Sequence, residues 1–292
     1  MTLYKNLLCP VDFSDLSRHA LAWALEFGAA VGCDVTPFHT IDTALTNVGN
    51  LVAVPNDGAE RQRTEASKLL QTWAVELNAP DTRVLVTQGV PSDAIASATK
   101  GDDVDLLVMG THGLSGIQKL LLGSVMEKVL HRIHKPLLAI PPKAMAFSVP
   151  RTILLAVDLD SDTSAAARHG ISLAEHFGAK LVVAHAIPEP YYVLNDHSIE
   201  RLTADQLQSL EAGLTSERRK ELEGLVASTS AETDVVVHID SPFQTLRRVM
   251  EERTPELVVM GAGGHRESGW DWVGSTCHKM VRAASYPVLI VR

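Results

Sequence analysis

Two aspartates stand out by their setting. Asp12 closes the apolar run 6–11 and Asp158 closes the run 152–157, and each is followed by Ser or Asp residues suited to capping a helix. A carboxylate between a strand and a helix can either meet a ligand or simply cap the helix. The second feature is Gly110-Thr111-His112-Gly113, nine residues, then Gly123-Ser124. Glycines let backbone N–H groups approach an anion, and a helix N-terminus adds unpaired donors with partial positive charge. Ser124 adds a hydroxyl. The spacing predicts a phosphate cradle built without a basic cluster, and it recurs as Gly261-Ala262-Gly263-Gly264, nine residues, Gly274-Ser275.

Other chemistries fit poorly. No G-x-x-x-x-G-K-[ST] is present, and no lysine follows Gly123-Ser124. A dinucleotide fingerprint fails because Gly261-Ala262-Gly263 meets Arg266 where a third glycine is required. No Ser-His-Asp set or paired carboxylate site can be assembled, so a weak ATPase is the most catalysis expected. His39 and His185 occupy equivalent strand ends and read as packed, hydrogen-bonded side chains. His131 and His134 have helix-face spacing but no third ligand, so no metal site is expected. Cys9 lies in an apolar strand as inert packing, and Cys33 is the more exposed thiol.

The elements that must position these residues come in two copies. Asp105 to Gly110 is matched by Glu256 to Gly261, and Lys135-Pro136-Leu137-Leu138-Ala139-Ile140 by Tyr286-Pro287-Val288-Leu289-Ile290-Val291. The order is conserved, which marks a tandem duplication with its boundary among the prolines at 141–150. After Asp12, Leu21, Ala24, Leu25 and Gly28 follow helical spacing, as do Ala167, Gly170, Ile171 and Ala174 in the second copy. Strands 35–41 and 181–187, a long helix, strands 84–87 and 235–239, and helices after Pro91 and Pro242 follow in turn. The strands are continuous apolar runs, as a parallel sheet covered on both faces requires. Each copy thus reads as an α/β domain with a doubly wound, five-stranded parallel sheet, over residues 1–147 and 148–292. Ligands of such sheets sit at the carboxyl ends of the strands.

Composition narrows the partners. The 292 residues carry a net charge of −9, which argues against a basic surface for nucleic acid or anionic membranes. No 18-residue apolar run occurs, and the first residues lack the layout of a secretory leader, so a cytoplasmic protein is expected. Three cysteines without CxxC spacing agree with a reducing compartment.

These residues resemble the universal stress protein family in its tandem two-domain form, with a Rossmann-like, adenine nucleotide alpha hydrolase-like fold. The resemblance spans nearly the whole chain. It rests on Pro10-Val11-Asp12-Phe13-Ser14, His39-Thr40-Ile41-Asp42, Gly89, and Val108-Met109-Gly110 through Gly123-Ser124-Val125. It implies that ATP, with or without Mg, is bound by Pro10, Asp12, Thr40, Met109, Gly110, Gly113, Gly123, Ser124 and Val125. The aspartate would lie near the adenosine and second-strand backbone near the adenine. In copy two the same implication covers Asp158, Ala186, Gly261, Gly264, Gly274 and Ser275. The family resemblance also implies that the last strands of the copies pair, so that one chain imitates a dimer and two chains form a homodimer.

Copy two departs from the pattern. Asp160 replaces Ser14, Asp240 replaces Gly89, and the loop 265–273 carries Glu267, Trp270, Asp271 and Trp272. Residues 1–147 hold 12 basic and 15 acidic side chains against 14 and 20 in 148–292. A polyphosphate is therefore expected mainly in copy one. The competing reading is a nucleotide-independent scaffold, with Trp270, Trp272 and the segment 187–202 receiving a partner or a small hydrophobic ligand.

Overall fold

The computed structural model describes residues 3–42, 57–113, 122–159, 163–188, 203–263 and 273–292. The chain forms two compact units whose main segments are Met1–Ser148 and Val149–Ser268. In the first unit the order is β1 (Asn6–Pro10), α1 (Asp15–Val31), β2 (Asp34–Asp42), α2 (Asp57–Glu76), β3 (Leu85–Gly89), α3 (Pro91–Ala98), β4 (Leu106–Gly110), α4 (Ser124–Arg132) and β5 (Leu137–Ile140). The second copy repeats it: β6 (Thr152–Ala156), α5 (Ser164–Phe177), β7 (Lys180–Ile187), α6 (Ala204–Leu225), β8 (Thr233–Ile239), α7 (Pro242–Arg253), β9 (Leu257–Gly261), α8 (Ser275–Ala283) and β10 (Val288–Val291).

Within the units the strands run β3-β2-β1-β4-β5 and β8-β7-β6-β9-β10, and every pair that defines a register is parallel. The doubly wound, five-stranded sheet expected of each copy is therefore present. Winding reverses between β1 and β4, and again between β6 and β9, where the strand carboxyl ends open a crevice. The central strands are buried almost throughout, with Leu106, Leu107, Val108, Ile153, Leu154 and Leu155 at 0% exposure.

Local sequence explains the helix limits. Ser14 caps α1 by accepting from Ser17 N, and Gly32 ends it in the left-handed conformation at φ 72°. Leu21, Ala24, Leu25 and Gly28 face the core as the spacing predicts. In α5 the face turns slightly: Ala166, Ala167, Gly170, Leu173 and Ala174 are buried, while Ile171 is only half-buried. The small residues at 166, 167 and 170 bring the helix close to the sheet, and Leu173 becomes the larger inward side chain. Among the described residues no helix is long and apolar enough to cross a membrane.

The cysteines are free. Burial pushes the Cys277 thiol up to about 12 and that of Cys9 higher still. Half-buried Cys33 is raised to about 11 by desolvation, with Asp34 and Asp105 adding to it. A thiol reacts as its thiolate. Iodoacetamide at pH 8 is thus expected to label Cys33 slowly and the other two only after denaturation. Rapid labelling of Cys33 in the native protein would contradict this assignment.

Candidate functional site

The crevice of the first unit is organised around Asp12. Its Oδ1 accepts from Ser14 N at 3.1 Å and from Ser14 Oγ at 2.6 Å, while its own N–H donates to Ser17 Oγ at 3.3 Å. Ser14, not Asp12, is therefore the cap of α1, so capping does not account for the aspartate. The chain turns between them at Phe13, whose φ of 63° is unusual for a bulky residue and costs energy. Ring contacts hold it there: Phe13 lies 4.4 Å from the His39 ring and 5.4 Å, edge-on, from Trp73 of α2.

His39 fixes the strand end from the other side. Its Nδ1 donates to the carbonyl of Val11 at 2.7 Å, and His185 makes the same bond to Val157 at 2.9 Å. Both imidazoles thus hold the residue just before the strand-end aspartate, in keeping with their reading as hydrogen-bonded packing residues. Among the described residues no group of three metal-ligating side chains occurs.

The glycines bring the second half of the motif onto Asp12. A Cβ on Gly113 would collide with Asp12 Oδ2, and one on Gly123 would lie 3.6 Å from Gly113 N. Asp12, Gly113 and Gly123 therefore stand against one another beyond the end of β4. The Gly123 N–H does not face an incoming anion: it donates to Thr111 O at 2.9 Å. Its counterpart Gly274 donates to Ala262 O and Gly263 O at 2.9 and 3.1 Å. The donors that remain are those of the first turn of α4. Its N-cap, Gly123, brings no side-chain hydrogen bond, so the N–H groups of Ser124, Val125 and Met126 have no intrahelical partner. Burial lowers the pKa of His112, whose Nδ1 lies 2.8 Å from Thr111 Oγ1.

Pro10 ends β1 in register with Phe38, and Thr40 is buried on β2. In the second unit Gly261 and Gly274 flank a matching turn, with Gly263 at φ 62°. Ala186 lies near the end of β7, Asp158 and Ser275 are exposed, and Gly264 lies outside the described residues. Asp160, Glu267, Trp270, Asp271, Trp272 and most of 187–202 lie outside them too. The extra carboxylate that is described, Asp240, accepts from Ser241 N at 2.6 Å and pairs with Arg248 at 3.6 Å. The first turn of α8 holds no acidic residue, whereas Glu127 stands in that of α4. Of the carboxylates that set copy two apart in the sequence, Asp240 alone lies among the described residues, and it is paired there.

Fold and crevice together define a tandem α/β protein of the doubly wound class, with a small-residue loop and a helix N-terminus at each switch point. The family model described as "Universal stress protein family" matches residues 3–141 and again 150–292. The chain belongs to that family, in the tandem two-domain form. It is similar along its full length to a universal stress protein of Mycolicibacterium smegmatis, 21% identical over 98% of this chain and 97% of that one. One copy resembles Universal stress protein MJ0531 of Methanocaldococcus jannaschii, 33% identical over 47% of this chain and 82% of the relative. A universal stress protein structure from Archaeoglobus fulgidus shares the fold at TM-score 0.69 and 19% identity, covering 98% of both chains.

Proposed function

We propose that this chain is a cytoplasmic stress-response or regulatory protein that binds ATP or a related adenine nucleotide in its first unit. The observation that carries the reading is the close approach of Asp12, Gly113 and Gly123 beside the N-terminus of α4, whose N-cap glycine brings no side-chain hydrogen bond. In this reading Ser124, Val125 and Met126 offer backbone donors to the phosphates, Ser124 adds its hydroxyl, and the partial positive charge of the helix end favours the anion. Asp12, held by Ser14, meets the sugar. Pro10, Thr40, Met109 and Gly110 line the remainder. Mg²⁺ arrives on the phosphates. A second site uses Asp158, Ala186, Gly261, Gly264, Gly274 and Ser275. The nucleotide acts as a conformational ligand, shifting loop populations by its differential affinity, in a homodimer that depends on neither nucleic acid nor membrane.

Denaturing the purified protein and chromatographing the supernatant tests this directly. Released adenine nucleotide is expected, as is a rise of several degrees in melting temperature with ATP well above its Kd. Neither release nor any shift at millimolar ATP would overturn the proposal.

A further inference from the structure

A cavity of about 600 Å³ opens in the second unit between α6, the outer strand β8 and α7. Among the described residues its lining comes from those three elements alone, whereas the strand-end crevice lies between β6 and β9. Glu232 O and the Asp240 N–H bond to β7, so the backbone of Val235, Val237 and Ile239 turns outward. Arg219 reaches that outer edge from α6 and donates from Nη1 to Val235 O at 2.5 Å. That bond uses one of five donors and leaves the rest of the guanidinium for a second partner. Arg248, on α7, is exposed and lies 3.6 Å from Asp240, an ion pair beyond hydrogen-bond length. His238 lines the same cavity, and its buried Nδ1 has no partner among the described residues. No hydrogen bond there fixes the tautomer, so the other ring nitrogen can donate or accept.

The first copy has none of these three groups. Leu222 and Val226 of α6 match the buried Leu70 and Ala74 of α2, and Leu246 of α7 matches Ile95 of α3. β8 aligns with β3 through His238 and Thr87, the register partners of Ala186 and Thr40. Arg219, His238 and Arg248 therefore stand where the first copy has Ser67, Thr87 and Ser97. Copy two is the more acidic half, with 20 acidic side chains against 14 basic. It nevertheless gathers two guanidinium groups and an imidazole around one cavity.

We propose that this cavity binds a small phosphomonoester with a hydroxyl-bearing body, of the sugar phosphate class. Guanidinium forks match the oxygens of a phosphate and carry the charge that a dianion needs. Glu211, also in the lining, only accepts hydrogen bonds when ionised, so it takes hydroxyl groups and repels a second anionic end. Gln208 and Ser216 add neutral polar groups, and the volume is that of an ordinary small-molecule site. The site is separate from the nucleotide crevice and does not depend on that reading.

The test is calorimetric titration of the full chain with glucose 6-phosphate, and with glucose as the uncharged control. The wild type is expected to bind the phosphate saturably in the millimolar range or tighter, and glucose at least about tenfold more weakly. Arg248→Gln should weaken glucose 6-phosphate about tenfold, the worth of one charge-assisted hydrogen bond, with melting temperature and ATP titration unchanged. Arg219→Gln should act likewise, since its amide still donates to Val235 O but brings no charge. Should Arg219→Gln melt early, Arg248→Gln decides alone, because that exposed side chain is not part of the core. No saturable binding by the wild type, equal binding of glucose, or unchanged affinity in Arg248→Gln overturns the proposal. A parallel loss of ATP binding in Arg248→Gln would place the cavity inside the nucleotide site and overturn it too. A wild type that binds the sugar phosphate but not ATP overturns the nucleotide reading alone.

Discussion

Gly123→Asp is expected to leave the fold intact or slightly more stable while abolishing nucleotide binding to the first unit. Gly123 is the N-cap of α4, with φ −60° and ψ 139°, a conformation that any residue adopts. A Cβ there would have its nearest neighbours at 3.5 Å, ordinary contact distance. Aspartate is among the best N-caps, worth about 0.5–2 kcal/mol, so a rise of a few degrees in melting temperature is expected. The same carboxylate would occupy the helix end that the phosphates need. Juxtaposed like charges cost several kcal/mol, and the loss in affinity should reach about 100-fold or more. Opposite signs in the two measurements separate a site effect from unfolding. Gly274→Asp should behave differently. Its Cβ would press on the backbone of Ala262 and Gly263 at 3.2–3.3 Å, so stability falls together with any binding. A Gly123→Asp variant that folds and still binds ATP in its first unit would show that the helix end is not the phosphate site.

Gly113→Ala should damage both properties through a single contact. The new methyl group would collide with Asp12 Oδ2, while Oδ1 is held by Ser14 N and Ser14 Oγ. Relief requires turning the carboxylate and losing one or both of those bonds, at about 1 kcal/mol each. A destabilisation of about 1–3 kcal/mol is expected in denaturant titration, with about a tenfold weaker nucleotide complex because the strand-end carboxylate is displaced. The cause can be isolated. In an Asp12→Ala background the collision partner is gone, and the same substitution should cost less than half as much. Additive costs in that double-mutant cycle would mean that Gly113 is needed for some other reason.

The parts of the molecule that depend on chain-local patterns are legible in the sequence. Apolar strands at matching spacing gave the duplicated sheet, and the inward face of α1 follows from Leu21, Ala24, Leu25 and Gly28. What escaped the sequence depends on neighbours distant along the chain. Phe13 looks like ordinary strand-to-helix sequence, yet it takes a left-handed conformation because His39 and Trp73 trap its ring. Glycine spacing located the crevice but not the destination of the Gly123 N–H. That group is consumed by Thr111 O, and the donor role passes to the turn that follows. Charge counting set copy two apart, yet Asp240 is met by Arg248 and Ser241, contacts that a tally of charges does not reveal.

Titration of the full chain with Mg-ATP by isothermal calorimetry, with wild type and Gly123→Asp compared side by side, tests the central claim most directly. Saturable binding by the wild type, with one binding event lost in the variant and its melting temperature preserved, is the predicted result. A wild type that gives no binding heat and no thermal shift, or a variant that binds as the wild type does, would contradict it.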